Sequence, residues 1–331
     1  MIEARQLSKR FGEFQAVREI DLLVRPGELV ALLGPNGAGK TTTVRMLGAI
    51  LRPSSGTARI CGLDVVHDAQ AVRSQVGLLT EYPGLYGRMS ASAYLDFFGG
   101  LLGLDARTRQ RRSEHLLHQF GLWEARERKL EGYSKGMKQK IALVRALIHD
   151  PPVLFLDEPT TAMDPQSART VRDAIGELRN ADRSILLTTH NLAEAEILAD
   201  RIAIISGGTI VALGTFAELS RQLLGDPLFE LRLAPGYALA AALPLIDDLV
   251  DAPELSANAL RFRCANPVQI NPQLLARLAA HGLPVISLAE VTRSLEDVYL
   301  RIVAEGGVPA APPDLLTSTN DLLGTLLEVE P

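Results

Sequence analysis

The run Gly34-Pro35-Asn36-Gly37-Ala38-Gly39-Lys40-Thr41 follows five apolar residues, Leu29 to Leu33, and opens a helical pattern from Lys40 to about Leu51. A buried strand, a glycine-rich turn and a helix in that order belong to an α/β fold, with the turn at the carboxyl end of a strand. The run fits G-x-x-x-x-G-K-[ST]. Its glycines let successive N–H groups curl toward phosphate oxygens, and the helix opening near Lys40 adds the positive end of its dipole. Lys40 would reach the β- and γ-phosphates of ATP and Thr41 would ligate Mg²⁺. Gly34, Pro35, Asn36, Gly37, Ala38, Gly39 and the neighbouring Thr42 would line the cradle. Taken out of that context the same residues are only a glycine-rich turn.

A second segment has the same logic. Val153-Leu154-Phe155-Leu156 is an apolar strand that ends in Asp157-Glu158, and ligands of such sheets lie at the carboxyl ends of the strands. Asp157 would hold Mg²⁺ through its water shell, and Glu158 would polarise the attacking water as general base. By itself the segment is equally a strand that exits into solvent with acidic residues; the glycine-rich run tips the balance.

Residues 1 to 33 alternate apolar and polar residues with turns at Phe11-Gly12 and Pro26-Gly27, the pattern of antiparallel strands. Strand patterns follow at Ala58 to Leu63, Val76 to Leu79, Ser184 to Thr188 and Arg201 to Ile205. Between about residue 82 and residue 150 the pattern is helical, with Tyr94, Phe97 and Phe98 at helical spacing, which predicts a helical subdomain inserted in a parallel α/β core. The nucleotide-binding domain is therefore placed at 1–220. A smaller α+β domain is predicted over 221–304, with strands at Leu228 to Leu233, Leu260 to Arg263 and Pro284 to Leu288 and helices at Asn271 to Ala280 and Leu295 to Ala304. Residues 305–331, with Pro309, Pro312 and Pro313, are expected to be a flexible tail.

Between the two phosphate-site segments lies Tyr133-Ser134-Lys135-Gly136-Met137-Lys138-Gln139, which resembles the signature sequence of ABC ATPases; alone it would be a polar helix cap. Ser134 and Gly136 match the usual Leu-Ser-Gly-Gly-Gln, whereas Tyr133, Lys135 and Met137 depart from it, Tyr133 and Met137 in a way similar to the drug-exporter branch. The resemblance implies that Ser134 and Gly136 bind the γ-phosphate held by the opposite subunit of a homodimer. Ala162-Met163-Asp164-Pro165 resembles the loop that crosses that dimer interface, with Asp164 kept. His190, after Leu187-Thr188-Thr189, resembles the switch histidine that contacts the γ-phosphate, although a histidine alone is more often structural. Phe11 stands where the family stacks an aromatic ring on adenine, with a core or turn phenylalanine as the alternative. Glu81 replaces the glutamine that usually contacts Mg²⁺ and water, and a side chain pointing to solvent is the alternative there. The resemblance covers residues 1 to about 215.

The run Ser294-Leu295-Glu296-Asp297-Val298-Tyr299-Leu300 is similar to the ending of ATPase subunits from the daunorubicin/doxorubicin-resistance type of bacterial exporter; otherwise it is an amphipathic closing helix. The resemblance implies an ATPase subunit that docks on a separately encoded integral-membrane permease through Tyr82 to Tyr86 and the neighbouring helices. Composition agrees. Net charge is −5, from 34 basic and 39 acidic residues, so no overall basic field holds nucleic acid, and none is expected as a partner. The apolar stretch Tyr237 to Ile246 is too short to cross a bilayer and holds Pro244, and the N-terminus lacks a signal-peptide pattern. A cytoplasmic protein, held peripherally on the inner face of the membrane by its permease, is the expectation. Cys61 and Cys264 are far apart in sequence and are expected to be reduced, partly buried thiols. A soluble non-transport ABC ATPase and a nucleotide-sensing regulatory module are the alternatives; the first normally shows two cassettes or a long coiled coil, and the second would be expected to lack Glu158 or His190.

Overall fold

The computed structural model describes residues 1–304 apart from 83, 162, 180, 181 and 257. Ala162, Pro83 and the expected tail at 305–331 thus lie outside the described residues. Two compact units emerge, which divide between Gly214 and Thr215.

The first unit opens with strands β1 (Ile2–Phe11) and β2 (Phe14–Val24), followed by β3 (Leu29–Leu33), helix α1 (Lys40–Leu47), β4 (Ser55–Ile60) and β5 (Leu63–Asp64). Then come α2 (Ala69–Gln75), β6 (Val76–Leu79), α3 (Ala91–Leu101), α4 (Ala106–Gln119), α5 (Lys135–Leu147), β7 (Val153–Asp157), α6 (Pro165–Glu177), β8 (Ser184–Thr189), α7 (Leu192–Leu198), β9 (Arg201–Ser206) and β10 (Thr209–Gly214). The strands form an antiparallel sheet, β2-β1-β4-β5, and a six-stranded sheet, β10-β9-β3-β8-β7-β6. In the second sheet all neighbours run parallel except the edge strand β10.

Every residue of β3, β7 and β8 is buried, because each face of the sheet carries its own core and alternate side chains enter opposite ones. Leu154 and Leu156 of β7, with Ile185 and Leu187 of β8, pack on the side of α3 to α6. Val153, Phe155 and Leu186 enter the other core, with α1 and the antiparallel sheet. The helices 91–147 are tied together at Tyr94, which is fully buried and whose hydroxyl accepts a 2.7 Å hydrogen bond from Arg145. Gly77 lets β6 approach α5: a Cβ there would lie 2.2 Å from the Ala146 carbonyl oxygen.

The second unit contains α8 (Phe216–Leu224), β11 (Leu228–Leu233), α9 (Leu243–Ile246), β12 (Asp251–Leu255), β13 (Leu260–Arg263), α10 (Pro267–Ala280), β14 (Val285–Glu290) and α11 (Leu295–Ala304). Its antiparallel sheet has the order β12-β13-β11-β14. Phe229, Leu231, Leu260 and Phe262 bury one face against Leu274 and Leu278 of α10, while Glu230 on the other face pairs with Arg232 and Arg261.

Several expectations are corrected. The first helix ends at Leu47, where Gly48 follows, and does not reach Leu51. The strand expected over Ala58 to Leu63 breaks at Cys61-Gly62, both at positive φ, so that β4 and β5 fold back on each other. Cys61 is exposed and Cys264 buried, both as free thiols. α8 opens with a reciprocal cap between Thr215 and Glu218 and spans the expected boundary at 220. β10 and β12 were not legible in the alternation pattern.

His149 follows α5, and both ring nitrogens are buried. Burial holds its imidazole below the usual histidine range. The folded state therefore binds this proton less readily than the unfolded chain. The contribution to stability is complete above the unfolded value of about 6.5 and is lost as pH falls from there toward the folded value. Denaturant midpoints should drop between about pH 7.5 and about pH 5.5, and should drop less in His149→Gln, whose side chain does not titrate. Equal drops in the two proteins would contradict this.

Candidate functional site

Sheet register assembles the site. Leu33 pairs with Thr189, and Asp157 with Thr188, so the glycine-rich turn after β3, the two carboxylates at the end of β7 and the residues after β8 share one edge. The turn is shaped by close approaches that only glycine allows. Gly39 has φ of +102°, and a Cβ on it would lie 2.6 Å from the Ala16 carbonyl oxygen; at Gly34 a Cβ would lie 2.3 Å from that of Ile205. The turn leads into α1, whose first residue, Lys40, is buried. Asn36 and Gly37 are exposed, whereas Ala38 is buried and Pro35, Thr41 and Thr42 are half-buried.

The Lys40 ammonium donates to the carbonyl oxygens of Gly34 (2.8 Å) and Pro35 (3.1 Å) and lies 3.4 Å from Glu158 Oε1. The Thr41 hydroxyl donates to Asp157 Oδ1 at 3.2 Å, and the Thr188 hydroxyl donates to the same oxygen. Asp157 is 1% exposed. Burial pushes its carboxyl up; the Thr188 and Thr41 hydroxyls pull it back, and the charge of Glu158 raises it again. Its second oxygen and the Thr41 hydroxyl are hard donors of the kind Mg²⁺ takes.

Glu158 stands at φ +51°, in the left-handed region, which costs a side chain with a Cβ about 1–2 kcal/mol. Its N–H donates to the Thr188 carbonyl oxygen (3.0 Å) and faces the Thr188 hydroxyl (3.2 Å). The turn aims the carboxylate back along the strand edge. There Oε2 accepts from the Thr161 hydroxyl at 3.0 Å and meets His190 Nδ1 at 2.9 Å. The His190 ring is half-exposed and Glu158 is buried, so the histidine covers the acid on the open side. A carboxylate held between an ammonium and an imidazole, beside the glycine-rich turn, can orient a water molecule and accept its proton.

The remaining expected residues lie apart. Ser134 caps α5 by accepting from the Met137 N–H at 3.2 Å, and Asp164 caps α6 by accepting from the Ser167 N–H at 2.9 Å. The two caps adjoin, since a Cβ on Gly136 would lie 3.0 Å from Ser167 Oγ. Among the described residues no hydrogen bond joins Ser134, Gly136 or Asp164 to the Lys40 site. Phe11, half-exposed at the end of β1, carries the Lys9 ammonium 5.0 Å from its ring centre. Glu81 is half-buried just beyond β6, the neighbour of β7, with no hydrogen bond or ion pair to Asp157. Sequence reasoning missed Thr161 and the role of Thr188. Hydroxyls beside a carboxylate-bearing strand end are a weak signal until the register is known.

Comparison with known proteins bears on this geometry. A family model described as ABC transporter matches residues 17–161. The daunorubicin/doxorubicin resistance ATP-binding protein of Streptomyces peucetius is 38% identical over 305 residues, which cover 91% of this chain and 92% of that protein. The Nod factor export ATP-binding protein I of Ralstonia nicotianae is 34% identical, covering 89% and 91%. Among solved structures, an ATP-binding subunit of an ABC transporter matches at a TM-score of 0.64 and 30% identity, covering 73% of this chain and 97% of that one. The ATP-binding cassette MJ0796, solved as a dimer with ADP and phosphate, matches at a TM-score of 0.60 and 22% identity, covering 65% and 98%; at that identity the likeness is one of fold.

Gly39→Ala should break the cradle without touching any charged group. The new Cβ meets the Ala16 carbonyl and forces a left-handed alanine, at a cost of about 2 kcal/mol or more. Calorimetry should show a lower unfolding midpoint, and titration with a fluorescent ATP analogue should show binding lost. Full binding by the variant would mean that the turn does not form the cradle.

Proposed function

Because this chain belongs to the ABC transporter ATP-binding family, and is by that membership an ATPase, we propose that it hydrolyses Mg·ATP at the Lys40–Asp157–Glu158–His190 site and drives a separately encoded membrane permease that exports drug-like or lipophilic compounds. The observation that carries the chemical part is the single carboxylate of Glu158 facing Lys40, Thr161 and His190. In this reading Gly34 to Thr42 cradle the phosphates, and Lys40 turns from the loop carbonyls to the β- and γ-phosphates. Glu158 is the general base and His190 holds it in place beside the γ-phosphate. Phe11 stacks on adenine. Thr41 and Asp157 would hold Mg²⁺, with Glu81 as a further oxygen donor from the adjoining strand; a bound Mg²⁺ supplies charge neutralisation on the phosphate oxygens.

Ser134 and Gly136, which among the described residues make no hydrogen bond to Lys40 of their own chain, are assigned to the site of a second copy, and Asp164 to the interface between copies. A closed two-fold assembly completes both sites at once. The exporter assignment is supported by the relatives named for drug resistance and Nod factor export. Exposed apolar side chains support the docking: Tyr82 is 81% exposed and Tyr86, Phe97 and Leu101 are exposed, and the Tyr86 ring lies 6.1 Å from that of Phe97 and 5.8 Å from that of Phe98. Neighbouring exposed aromatic rings such as Tyr86 and Phe97 suit a permease loop. Among the described residues no helix is long and apolar enough to cross a membrane, in keeping with peripheral attachment to the inner face of the membrane through that permease. The two units are assigned as separate domains, the first carrying the whole site of one chain.

Three experiments test this. Lys40→Ala should abolish tight ATP binding, whereas Glu158→Gln should bind ATP and lose hydrolysis by about 10²-fold or more, since only the attacking water feels the base. Wild-type turnover by Glu158→Gln would remove the base assignment. In sedimentation, Glu158→Gln should be dimeric with Mg·ATP and largely monomeric without it, and a monomer in both conditions at high concentration would exclude the two-chain site. Mass spectrometry of proteins that co-purify from membranes should identify the permease.

A further inference from the structure

Behind the reacting face lies a third buried carboxylate. Glu194, in the first turn of α7, is 1% exposed. Its Oε1 accepts the Thr160 hydroxyl at 2.8 Å and its Oε2 accepts the Thr189 hydroxyl at 2.6 Å. Thr189 immediately precedes His190, and Thr160 lies just after Glu158. One side chain thus joins the end of the strand that carries His190 to the segment that leaves Glu158. The turn is closed around the same hydroxyl: the Asn191 N–H reaches Thr189 Oγ1 at 3.0 Å, and Asn191 Oδ1 accepts from the Glu194 N–H at 3.2 Å.

The fold alone does not call for an acid there. Asn191 already caps α7, and an apolar side chain of similar volume would avoid the desolvation of a carboxylate. That desolvation is felt: burial pushes the Glu194 carboxyl up, Thr189 and Thr160 pull it back, and the Glu158 charge raises it again. What the acid adds is geometry. The two segments it ties behind the site meet again in front of it, where His190 Nδ1 and the Thr161 hydroxyl converge on Glu158 Oε2.

We infer that Glu194 is a positioning residue for ATP hydrolysis, a strut that fixes the segment after Glu158 against the strand end before His190 so that base and histidine hold their contact. The inference rests on the roles proposed for Glu158 and His190.

The test is steady-state ATP hydrolysis by the full chain, with turnover expressed per nucleotide site counted by titration with a fluorescent ATP analogue. Glu194→Ala and Thr160→Val should each lower kcat about tenfold or more while KM for ATP stays within about twofold, because the phosphate cradle is elsewhere. Thr160→Ser keeps the hydroxyl and should recover most of the rate lost in Thr160→Val. The double variant should fall no further than the weaker single one, since the two residues act as a unit. Wild-type kcat in either single variant, additive losses, or a loss that vanishes when turnover is expressed per counted site would overturn the inference. If Glu194→Ala does not fold, Thr160→Val decides alone, because it removes one arm and leaves the acid bonded to Thr189. Glu158→Gln is measured alongside. If it is fully active, the underlying reading fails and the strut with it; if it is inactive beside a fully active Thr160→Val, the strut alone fails.

Discussion

Parallel pairing of three buried strands, β3, β8 and β7, fixes everything that matters at the site. With Leu33 opposite Thr189 and Asp157 opposite Thr188, the glycine-rich turn, the two acids and the histidine arrive at one edge although they lie in widely separated parts of the chain. A slip of one residue in either pairing would exchange the two cores, sending Leu154 and Leu156 to the side of Phe155. The cost of that exchange is what makes the placement of Lys40, Asp157 and Glu158 unambiguous.

The polar groups at this edge form a sequence of partial compensations. Asp157, Glu158 and Glu194 are buried within a short stretch of structure, and the charge of Glu158 raises the carboxyls of both the others. The buried Lys40 ammonium faces Glu158 at 3.4 Å, while hydroxyls serve the rest: Thr41 and Thr188 for Asp157, Thr161 for Glu158, Thr160 and Thr189 for Glu194. Hydroxyls donate without adding charge, so the edge stays receptive to the cation that accompanies a nucleotide.

What could be read in the sequence follows from the range of the forces involved. The glycine-rich turn, the acidic strand end and most strands were legible because a local rule dictates them: backbone curvature needs glycine, and a strand covered on both faces needs an unbroken apolar run. Leu228–Leu233, Leu260–Arg263 and Leu295–Ala304 were found at their limits for the same reason. β12, with Pro253 and mostly exposed residues, and β10, a half-exposed edge strand, owe their form to the strand they pair with, which no local pattern encodes. The hydroxyl partners were hidden likewise. A threonine after an apolar run looks like any strand residue until its neighbour is known to be Asp157 or Glu194.

The left-handed backbone at Glu158 sets the protein's stability against its chemistry. Glycine in that position would be free of the conformational cost, about 1–2 kcal/mol, and would lose only about 0.5–1 kcal/mol through its greater freedom in the unfolded chain. It would also remove a buried acid. Relaxation of the backbone and loss of the carboxylate opposite Lys40 are thus the same substitution, and the buried ammonium left without its ion pair offsets what the backbone gains.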